Sequence, residues 1–309
     1  MQDKTGNEFI EVSFLEDFPK LKDALLSIVP ISKSKIKNKE KIYPILNKKV
    51  YKNQTYLCPL ELVNVNKINP EYSGPEIKIL YDDNRIMALH KPPQVHCHPL
   101  NYLDKNNCLS FLRSINKKDI LQVNLSKHER GLLFRLDYET SGVLVAIKNE
   151  EDYRFLRDNF STQVEKKIYL AIVNGDFSYN GEIKNYLIPS GPKGGKIKIQ
   201  REGSHEHLAC LNVHKLNYCA EKNKSLLKIE LQTGMRHQIR AQLSALDFPI
   251  CGDVLYGGEN VKSERLFLHA YQYSLSLPEN QFGPKKHYDF FDEEWDLFNT
   301  SFLNLKSFL

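Results

Sequence analysis

Residues 135–142 constrain the fold of this chain more than any other segment, because a polar turn there leads directly into an apolar strand. The segment reads Arg-Leu-Asp-Tyr-Glu-Thr-Ser-Gly, and five apolar residues, 143–147, follow it. An apolar run of this length after a turn is typical of a buried strand. The pattern predicts a tight loop that places the carboxylate of Asp137 beside a cation. Such a carboxylate stays ionised near neutral pH and can act as a nucleophile or a base. A simple capped turn between two core strands is the alternative interpretation.

Further motifs occur along the chain in a fixed order around this turn. A strand-like segment, residues 79–83, and a His-Lys-Pro-Pro turn, residues 90–93, precede it. After it come Lys-Ile-Tyr-Leu-Ala at 167–171, Thr-Gly-Met-Arg-His-Gln-Ile-Arg at 233–240, Pro-Ile-Cys-Gly-Asp-Val-Leu-Tyr-Gly at 249–257 and Leu-His-Ala at 268–270. Together with the turn at 135–142, these segments resemble the RluA family of RNA pseudouridine synthases. The resemblance covers residues 76–278.

The resemblance implies an isomerisation of uridine to pseudouridine that needs no cofactor and no metal. Asp137 matches the family's essential carboxylate, which either attacks ribose carbon 1, giving an acylal, or removes the proton at carbon 2, giving a glycal. The sequence does not separate these two routes. Arg240 matches the guanidinium that keeps this carboxylate charged and oriented. Tyr169 matches the aromatic residue that stacks on the uracil, and an ordinary strand aromatic is the alternative for this position.

The resemblance also implies contacts with RNA. The target base must leave its helix, and Arg135 matches the arginine that enters the space left by the flipped base. Arg236 and His237 are predicted to contact RNA as well. The family's usual histidine before Arg-Leu-Asp is Phe134 in this chain. Because a phenyl ring can only pack, this departure puts the positioning of RNA in doubt more than the chemistry.

Strands and helices are predicted to intermix without regular alternation, which indicates an α+β fold with a mixed, largely antiparallel central sheet. Strands are predicted at 77–90, 143–148, 168–174, 208–216, 225–233 and 266–277, and helices at 107–116, 150–161 and 237–246. The resemblance implies that this is the pseudouridine synthase fold. Apolar residues at helical spacing also predict an amphipathic C-terminal helix at 291–309, docked on the catalytic domain of residues 76–309. A partner-binding helix is the alternative for that segment.

Residues 1–75 are predicted to form a separate small domain that ends in a linker with two prolines and a glycine. Between residues 33 and 52 the chain has eight lysines and a single glutamate. Short helices, a lysine-rich loop and a hairpin-like segment at 50–59 resemble a degenerate form of the small RNA-binding domain of ribosomal protein S-four. We therefore predict that Lys33, Lys35 and Lys37 contact phosphates. A solvated lysine face is the alternative.

Composition sets the remaining limits. The 43 basic and 38 acidic residues give a formal net charge of +5, which permits a nucleic-acid partner without requiring one. The six cysteines show no Cys-x-x-Cys spacing, and the two histidines around Cys97 lack a further ligand for a metal site. No apolar run approaches the roughly 20 residues needed to cross a bilayer. These features predict a cytoplasmic protein, which we expect to be a monomer.

The sequence therefore predicts an RNA pseudouridine synthase that acts on a flipped-out uridine through Asp137. Ribosomal RNA is the favoured substrate, because the domain arrangement resembles that of the enzymes acting on large-subunit ribosomal RNA, and transfer RNA is the alternative. A non-catalytic RNA-binding or ribosome-assembly protein that keeps the fold is the competing hypothesis. Phe134 is the residue that keeps that hypothesis open.

Overall fold

The computed structural model describes residues 8–28, 33–63, 68–191, 195–258 and 265–293. The chain divides into two compact units. The first comprises Met1–Gly74 and His98–Asn116, and the second comprises Pro75–Cys97 and Lys117–Leu309. A division next to residue 75 was expected, but the inclusion of 98–116 in the first unit was not.

The first unit is built on a two-stranded antiparallel sheet and short helices. Its elements up to residue 63 are β1 (Phe9–Ser13), α1 (Leu21–Ile28), α2 (Lys33–Lys39), β2 (Thr55–Pro59) and α3 (Leu60–Val63). Leu21 and Leu25 are fully buried in its core, as the helical spacing predicts. The hairpin predicted within 50–59 is wrong, because β2 pairs with β1 instead, with Ile10 opposite Cys58.

The segment 98–116 joins the first unit through contacts that sequence periodicity does not encode. It contains helix α4 (Cys108–Ser114), which Asn107 caps by accepting a hydrogen bond from the Ser110 amide. The rings of Tyr72 and Phe111 meet edge to face at 5.6 Å between centroids. The Asn69 side chain donates to the Tyr102 carbonyl at 3.1 Å. These contacts connect 98–116 to residues just before the boundary at 74.

The second unit contains a ten-stranded mixed sheet, counted over the residues that the structure describes. The strands are β3 (Lys78–Asp82), β4 (Ile86–Lys91), β5 (Ser141–Ile147), β6 (Val164–Asn174), β7 (Gly181–Ser190), β8 (Lys196–Gln200), β9 (Leu208–Cys219), β10 (Lys224–Leu231), β11 (Leu268–Leu277) and β12 (Lys286–Phe291). Their order is β3-β4-β5-β11-β6-β10-β9-β7-β8, and β12 pairs with β11. Only β5 and β11 run parallel among these pairings. The predicted α+β fold with a largely antiparallel sheet is confirmed.

Four helices complete the second unit within the described ranges: α5 (Lys118–Gln122), α6 (Glu150–Asp158), α7 (Phe160–Gln163) and α8 (Gln238–Ser244). Helix α6 has three acidic residues in its first turn, and Asn149 caps it. Negative charge at this end is favoured by the helix dipole. No helix in the described part of the chain is long and apolar enough to span a membrane.

The sheet contains strands that were not predicted, and one predicted strand is divided in two. Strands β7, β8 and β12 were not predicted, and the predicted strand 77–90 is two strands, β3 and β4, separated by a turn. Phe291 belongs to β12, where it pairs with Gln272, so the predicted helix does not begin there. The rest of that predicted helix, from residue 294 onward, lies outside the described residues.

The centre of the sheet brings together the segments that carry the predicted site. All seven residues of β5 are buried, which explains why its apolar run follows the polar turn so directly. Strand β11 pairs with β5 at Ser141 and Gly142 and with β6 at Tyr169. The loop before β5 therefore lies near Tyr169, because only strand β11 separates β5 from β6.

Gly142 marks the closest approach between β5 and β11. Its φ is +118°, and a Cβ at this position would lie 2.2 Å from the Ala270 carbonyl oxygen. Gly142→Ala should therefore lower the free energy of unfolding by about 1–3 kcal/mol beyond the cost of the left-handed backbone alone. Gly181→Ala is a matched control, since Gly181 has a φ of +123° and no atom within 4 Å of the same position. Urea unfolding of both variants measures the difference, and equal destabilisation of the two would contradict the packing argument.

Candidate active site

The backbone of the loop that carries Asp137 is held by hydrogen bonds from a buried lysine. The amide of Thr140 donates to the Asp137 carbonyl at 3.2 Å, which closes the turn. The fully buried Nζ of Lys91 donates to the carbonyls of Val95 at 2.8 Å and Tyr138 at 3.2 Å. A buried charge needs such partners to offset its desolvation. Lys91 therefore joins the His-Lys-Pro-Pro turn to the loop that carries Asp137.

The start of β5 is anchored by the histidine of the Leu-His-Ala motif. The Ser141 hydroxyl lies 2.8 Å from His269 Nδ1, and His269 Nε2 lies 3.1 Å from the Asp292 carbonyl oxygen. Burial lowers the pKa of His269 to about 4, so this ring is neutral near pH 7. A neutral ring can donate to the Asp292 carbonyl through Nε2 and accept from Ser141 at Nδ1. The network fixes the end of the loop four residues after Asp137.

Arg240, on helix α8, lies beside the Asp137 carboxylate. Its Nη1 is 3.4 Å from Asp137 Oδ2 and 3.4 Å from Glu139 Oε2. The guanidinium is only 3% exposed, whereas the Asp137 side chain is 23% exposed. Burial by itself would lower the pKa of Arg240, but its hydrogen bonds with Asp253 and the nearby carboxylates raise the pKa above its usual value. Arg240 is therefore a permanent positive charge next to Asp137.

The strongest partner of Arg240 is Asp253, a residue that the sequence analysis did not select. Arg240 Nε and Nη2 each donate to one Asp253 oxygen at 2.8 Å, which is the two-pronged geometry that suits a guanidinium. The Asp253 side chain is completely buried. Its place in the Gly-Asp-x-x-Tyr-Gly motif was the available signal. Asp253 holds the guanidinium in place and leaves Nη1 directed at Asp137.

His237 is the second nitrogen-bearing side chain near Asp137. It has a left-handed backbone with a φ of +52° directly before α8, and its Nε2 is 3.9 Å from Asp137 Oδ1. The Tyr256 hydroxyl accepts from the Ile197 amide at 2.8 Å and lies 3.0 Å from His237 Nδ1. Burial lowers the pKa of His237, although the charge of Asp137 acts in the opposite direction. This network favours a neutral ring whose Nε2–H faces Asp137.

Tyr169 is buried on β6 and stays protonated near neutral pH. Burial raises the pKa of its hydroxyl, and the negative charge of Asp137 raises it further. A protonated phenol donates a hydrogen bond and does not act as a base.

Comparison with known proteins identifies the family of this chain. The family model described as RNA pseudouridylate synthase matches residues 85–245. The ribosomal large subunit pseudouridine synthase D of Borreliella burgdorferi is 30% identical over 83% of this chain and 78% of its own length. The chain belongs to the RNA pseudouridylate synthase family. The resemblance to RluA-type synthases that the motifs predicted is thereby confirmed, and the protein is an RNA pseudouridine synthase.

Two further relatives agree with this assignment. The uncharacterized RNA pseudouridine synthase YhcT of Bacillus subtilis is 29% identical over 82% of each chain. The structure of human RNA pseudouridylate synthase domain containing 1 matches with a TM-score of 0.51 and 19% identity, and it covers 73% of this chain and 94% of its own. At that identity the structural match shows the fold alone. The competing hypothesis of a non-catalytic protein finds no support in the names of these relatives.

Among the predicted RNA contacts of the synthase, Arg135 and Arg236 are exposed. Arg135 has 57% of its side chain exposed, and its Nη1 lies 3.0 Å from Glu129 Oε1. Arg236 Nη2 donates to the Gly195 carbonyl at 3.1 Å. Surface pairs of this kind are weak, usually below about 1 kcal/mol, so phosphate groups can compete for both guanidinium groups.

Phe134 packs against another aromatic ring, as its apolar side chain predicts. It is half-buried and stacks on Tyr273 at 4.3 Å between ring centroids, with 13° between the planes. Tyr273 belongs to a hydrophobic core cluster of the second unit. The ring thus packs next to the loop that carries Asp137, at the position where the family usually has an imidazole.

The three predicted lysine contacts lie on helix α2 of the first unit. Lys33 and Lys37 are exposed, and the side chain of Lys35 lies outside the described residues. Lys39, on the same helix, is 2.9 Å from the buried carboxylate of Glu61 and therefore has a structural role. No group of three side chains with metal-binding geometry occurs in the described ranges.

Proposed function

We propose that this synthase isomerises uridines of large-subunit ribosomal RNA through the carboxylate of Asp137. The observation that carries the proposal is the 3.4 Å contact between Asp137 and Arg240, in a loop held by Lys91. The ribosomal RNA substrate is supported by the name of the Borreliella burgdorferi relative, which aligns with 83% of this chain.

The reaction separates into three steps. The bond from uracil nitrogen 1 to ribose carbon 1 breaks, the free uracil turns, and carbon 5 bonds to ribose carbon 1 before it loses its proton. In the first step the Asp137 carboxylate either attacks carbon 1, forming an ester bond that breaks again when carbon 5 bonds there, or removes the proton at carbon 2, which returns to carbon 2 in that same later step. The proton that carbon 5 loses balances the proton that nitrogen 1 gains. The base and the ribose regain their initial oxidation states, so no electrons leave the substrate.

Each neighbour of Asp137 has a distinct part in this scheme. Arg240 directs one oxygen of the carboxylate towards the substrate, because Asp253 fixes the other side of the guanidinium. His237 offers a neutral N–H beside the same carboxylate. Tyr169 covers the detached uracil and donates hydrogen bonds from a hydroxyl that stays protonated. The detached base is thereby held while it turns.

The target uridine must leave its stack to reach Asp137, at a cost of a few kcal/mol. Arg135 is suited to occupy the vacated space, since it lies two residues before Asp137 and most of its side chain is exposed. Its exposed pairing with Glu129 must break for this movement. The weakness of surface ion pairs makes that step inexpensive.

Mapping pseudouridine across the total RNA of cells with and without this chain tests the proposal. We expect sites in large-subunit ribosomal RNA to disappear without the chain and to return with the wild-type protein but not with Asp137→Asn. Loss of sites in transfer RNA alone would overturn the ribosomal assignment. Loss of no site would overturn the proposed reaction.

The lysine-rich face of the first unit leads to a prediction about affinity. Lys33, Lys37, Lys41 and Lys48 are exposed. Their joint replacement by Gln should flatten the salt dependence of RNA binding, by about 0.7 in slope for each single-strand phosphate that these lysines neutralise. We favour substitution over deletion of residues 1–75, because the segment 98–116 packs with this unit. Titration at several salt concentrations measures the slope, and an unchanged slope would show that these lysines form only a solvated face.

A further inference from the structure

Two aromatic rings stack directly beside the catalytic carboxylate. The rings of His96 and Tyr138 have centroids 4.4 Å apart and planes inclined by 32°. Tyr138 immediately follows Asp137, and 39% of its surface is exposed. Since His96 covers one face of the phenol ring, the exposed area lies away from His96. A large aromatic surface is thus open to solvent at the catalytic loop.

The backbone around both rings is fixed before any ligand binds. The buried Lys91 Nζ joins the Val95 carbonyl to the Tyr138 carbonyl, so it links the residue before His96 to Tyr138 itself. On the other side, the Cys97 sulfur lies 3.3 Å from both the amide and the carbonyl of Leu136. Residues 95–97 and 136–138 therefore form one rigid piece. A rigid surface binds with a smaller conformational-entropy cost than a mobile one.

The ligand that fits this surface is a planar base. Aromatic side chains bind nucleic acids by stacking on bases, and a contact of this type is worth about 1–3 kcal/mol for each base. When a uridine flips out towards Asp137, each neighbouring base loses the uracil as a stacking partner. Arg236, which is exposed, supplies positive charge for the phosphates of the same strand. Neither His96 nor Tyr138 has a part in the reaction described above.

We propose that His96 and Tyr138 form a stacking platform for a nucleobase adjacent to the target uridine. This inference rests on the proposed function and adds a second base contact to it. Tyr169 covers the reacting uracil, whereas the platform receives a base that does not react. The platform thereby restores part of the stacking that flipping disrupts and makes the enzyme sensitive to the identity of a flanking nucleotide.

The test uses a synthetic stem-loop RNA that carries one uridine identified by the mapping experiment. In two derivatives, an abasic residue replaces the nucleotide on the 5′ or the 3′ side of that uridine. Wild type, Tyr138→Leu and Tyr138→Phe are compared by kcat and KM on all three RNAs. Tyr179→Leu is the matched control, because Tyr179 is 42% exposed and lies in the loop between β6 and β7.

We expect Tyr138→Leu to raise KM about tenfold on the intact RNA, with little change in kcat, because the platform binds a base that takes no part in the chemistry. One of the two abasic RNAs should raise the KM of wild type to the same extent. On that RNA, Tyr138→Leu should cause no further increase. Tyr138→Phe should behave as wild type, since the ring and not the hydroxyl stacks, and Tyr179→Leu should have no effect.

Three results would overturn the platform. These are equal kinetics of Tyr138→Leu and wild type on intact RNA, equal impairment by Tyr138→Leu on intact and both abasic RNAs, and a Tyr138→Phe variant as impaired as Tyr138→Leu. Circular dichroism melting of each variant detects misfolding, so it separates a loss of stacking from a loss of structure. Tyr138→Phe retains the ring that packs on His96 and should melt as wild type. Failure of the wild-type protein to convert the intact RNA would instead refute the proposed function.

Discussion

Replacing Asp137 by Asn is expected to abolish pseudouridine formation while RNA binding and the fold persist. The amide has nearly the shape of the carboxylate, but it neither attacks ribose carbon 1 nor removes a proton from carbon 2. Removal of the essential nucleophile of a hydrolase lowers turnover by about 10⁴- to 10⁶-fold, and we expect a decrease of at least the lower value. Single-turnover conversion of the stem-loop RNA, with binding measured in parallel, gives both quantities.

Glu139 provides the matched control for this variant. Its Oε2 is 3.4 Å from Arg240 Nη1, the same distance as Asp137 Oδ2. If the reaction needs a carboxylate only to balance the charge of Arg240, Glu139→Gln should be as damaging as Asp137→Asn. We expect Glu139→Gln to keep turnover within about tenfold of wild type, as befits the removal of one half-exposed charge. Wild-type turnover by Asp137→Asn would exclude the proposed chemistry.

Arg240→Met should remove both activity and much of the stability. Breaking a buried ion pair by removal of one partner costs about 3–5 kcal/mol, because the remaining charge stays desolvated. The motif match predicts Asp137 as the partner of Arg240, but the carboxylate that would lose its main cation is Asp253, whose side chain is fully buried. The Asp137 side chain keeps 23% exposure and can still be hydrated. Urea unfolding should therefore show the decrease in stability even without substrate.

The double variant Arg240→Met with Asp253→Asn distinguishes the two carboxylates. A buried neutral amide costs less than a buried unpaired charge, so the double variant should be more stable than Arg240→Met alone. It should remain inactive, because Asp137 still lacks its guanidinium. Equal stability of the single and double variants, or a destabilisation below about 1 kcal/mol for Arg240→Met, would contradict the assignment of Asp253 as the main partner.

Local sequence patterns predicted some strands well and missed others for identifiable reasons. Strand β5 is recognisable because all its residues are buried and the last five, 143–147, are apolar. Strand β7 alternates buried with half-buried and exposed positions and contains Pro189, which weakened its pattern. The end of strand β12 differs from the prediction, because the spacing of Phe291 to later aromatic residues predicts a helix that begins at residue 291. Its pairing with β11 over six residue pairs decided the conformation instead.

The sequence by itself determined the family, the order of the motifs, the α+β class and the pairing of Asp137 with Arg240. These features are recorded in short runs of residues, and apolar periodicity marks which of them are buried. Tertiary structure alone decided that Asp253 fixes Arg240, that His237 lies 3.9 Å from Asp137 and that 98–116 belongs to the first unit. Asp137 and Arg240 are 103 residues apart, and their contact exists only because β11 joins β5 to β6. Electrostatic pairing at such separations depends on sheet order and burial, which no local pattern specifies.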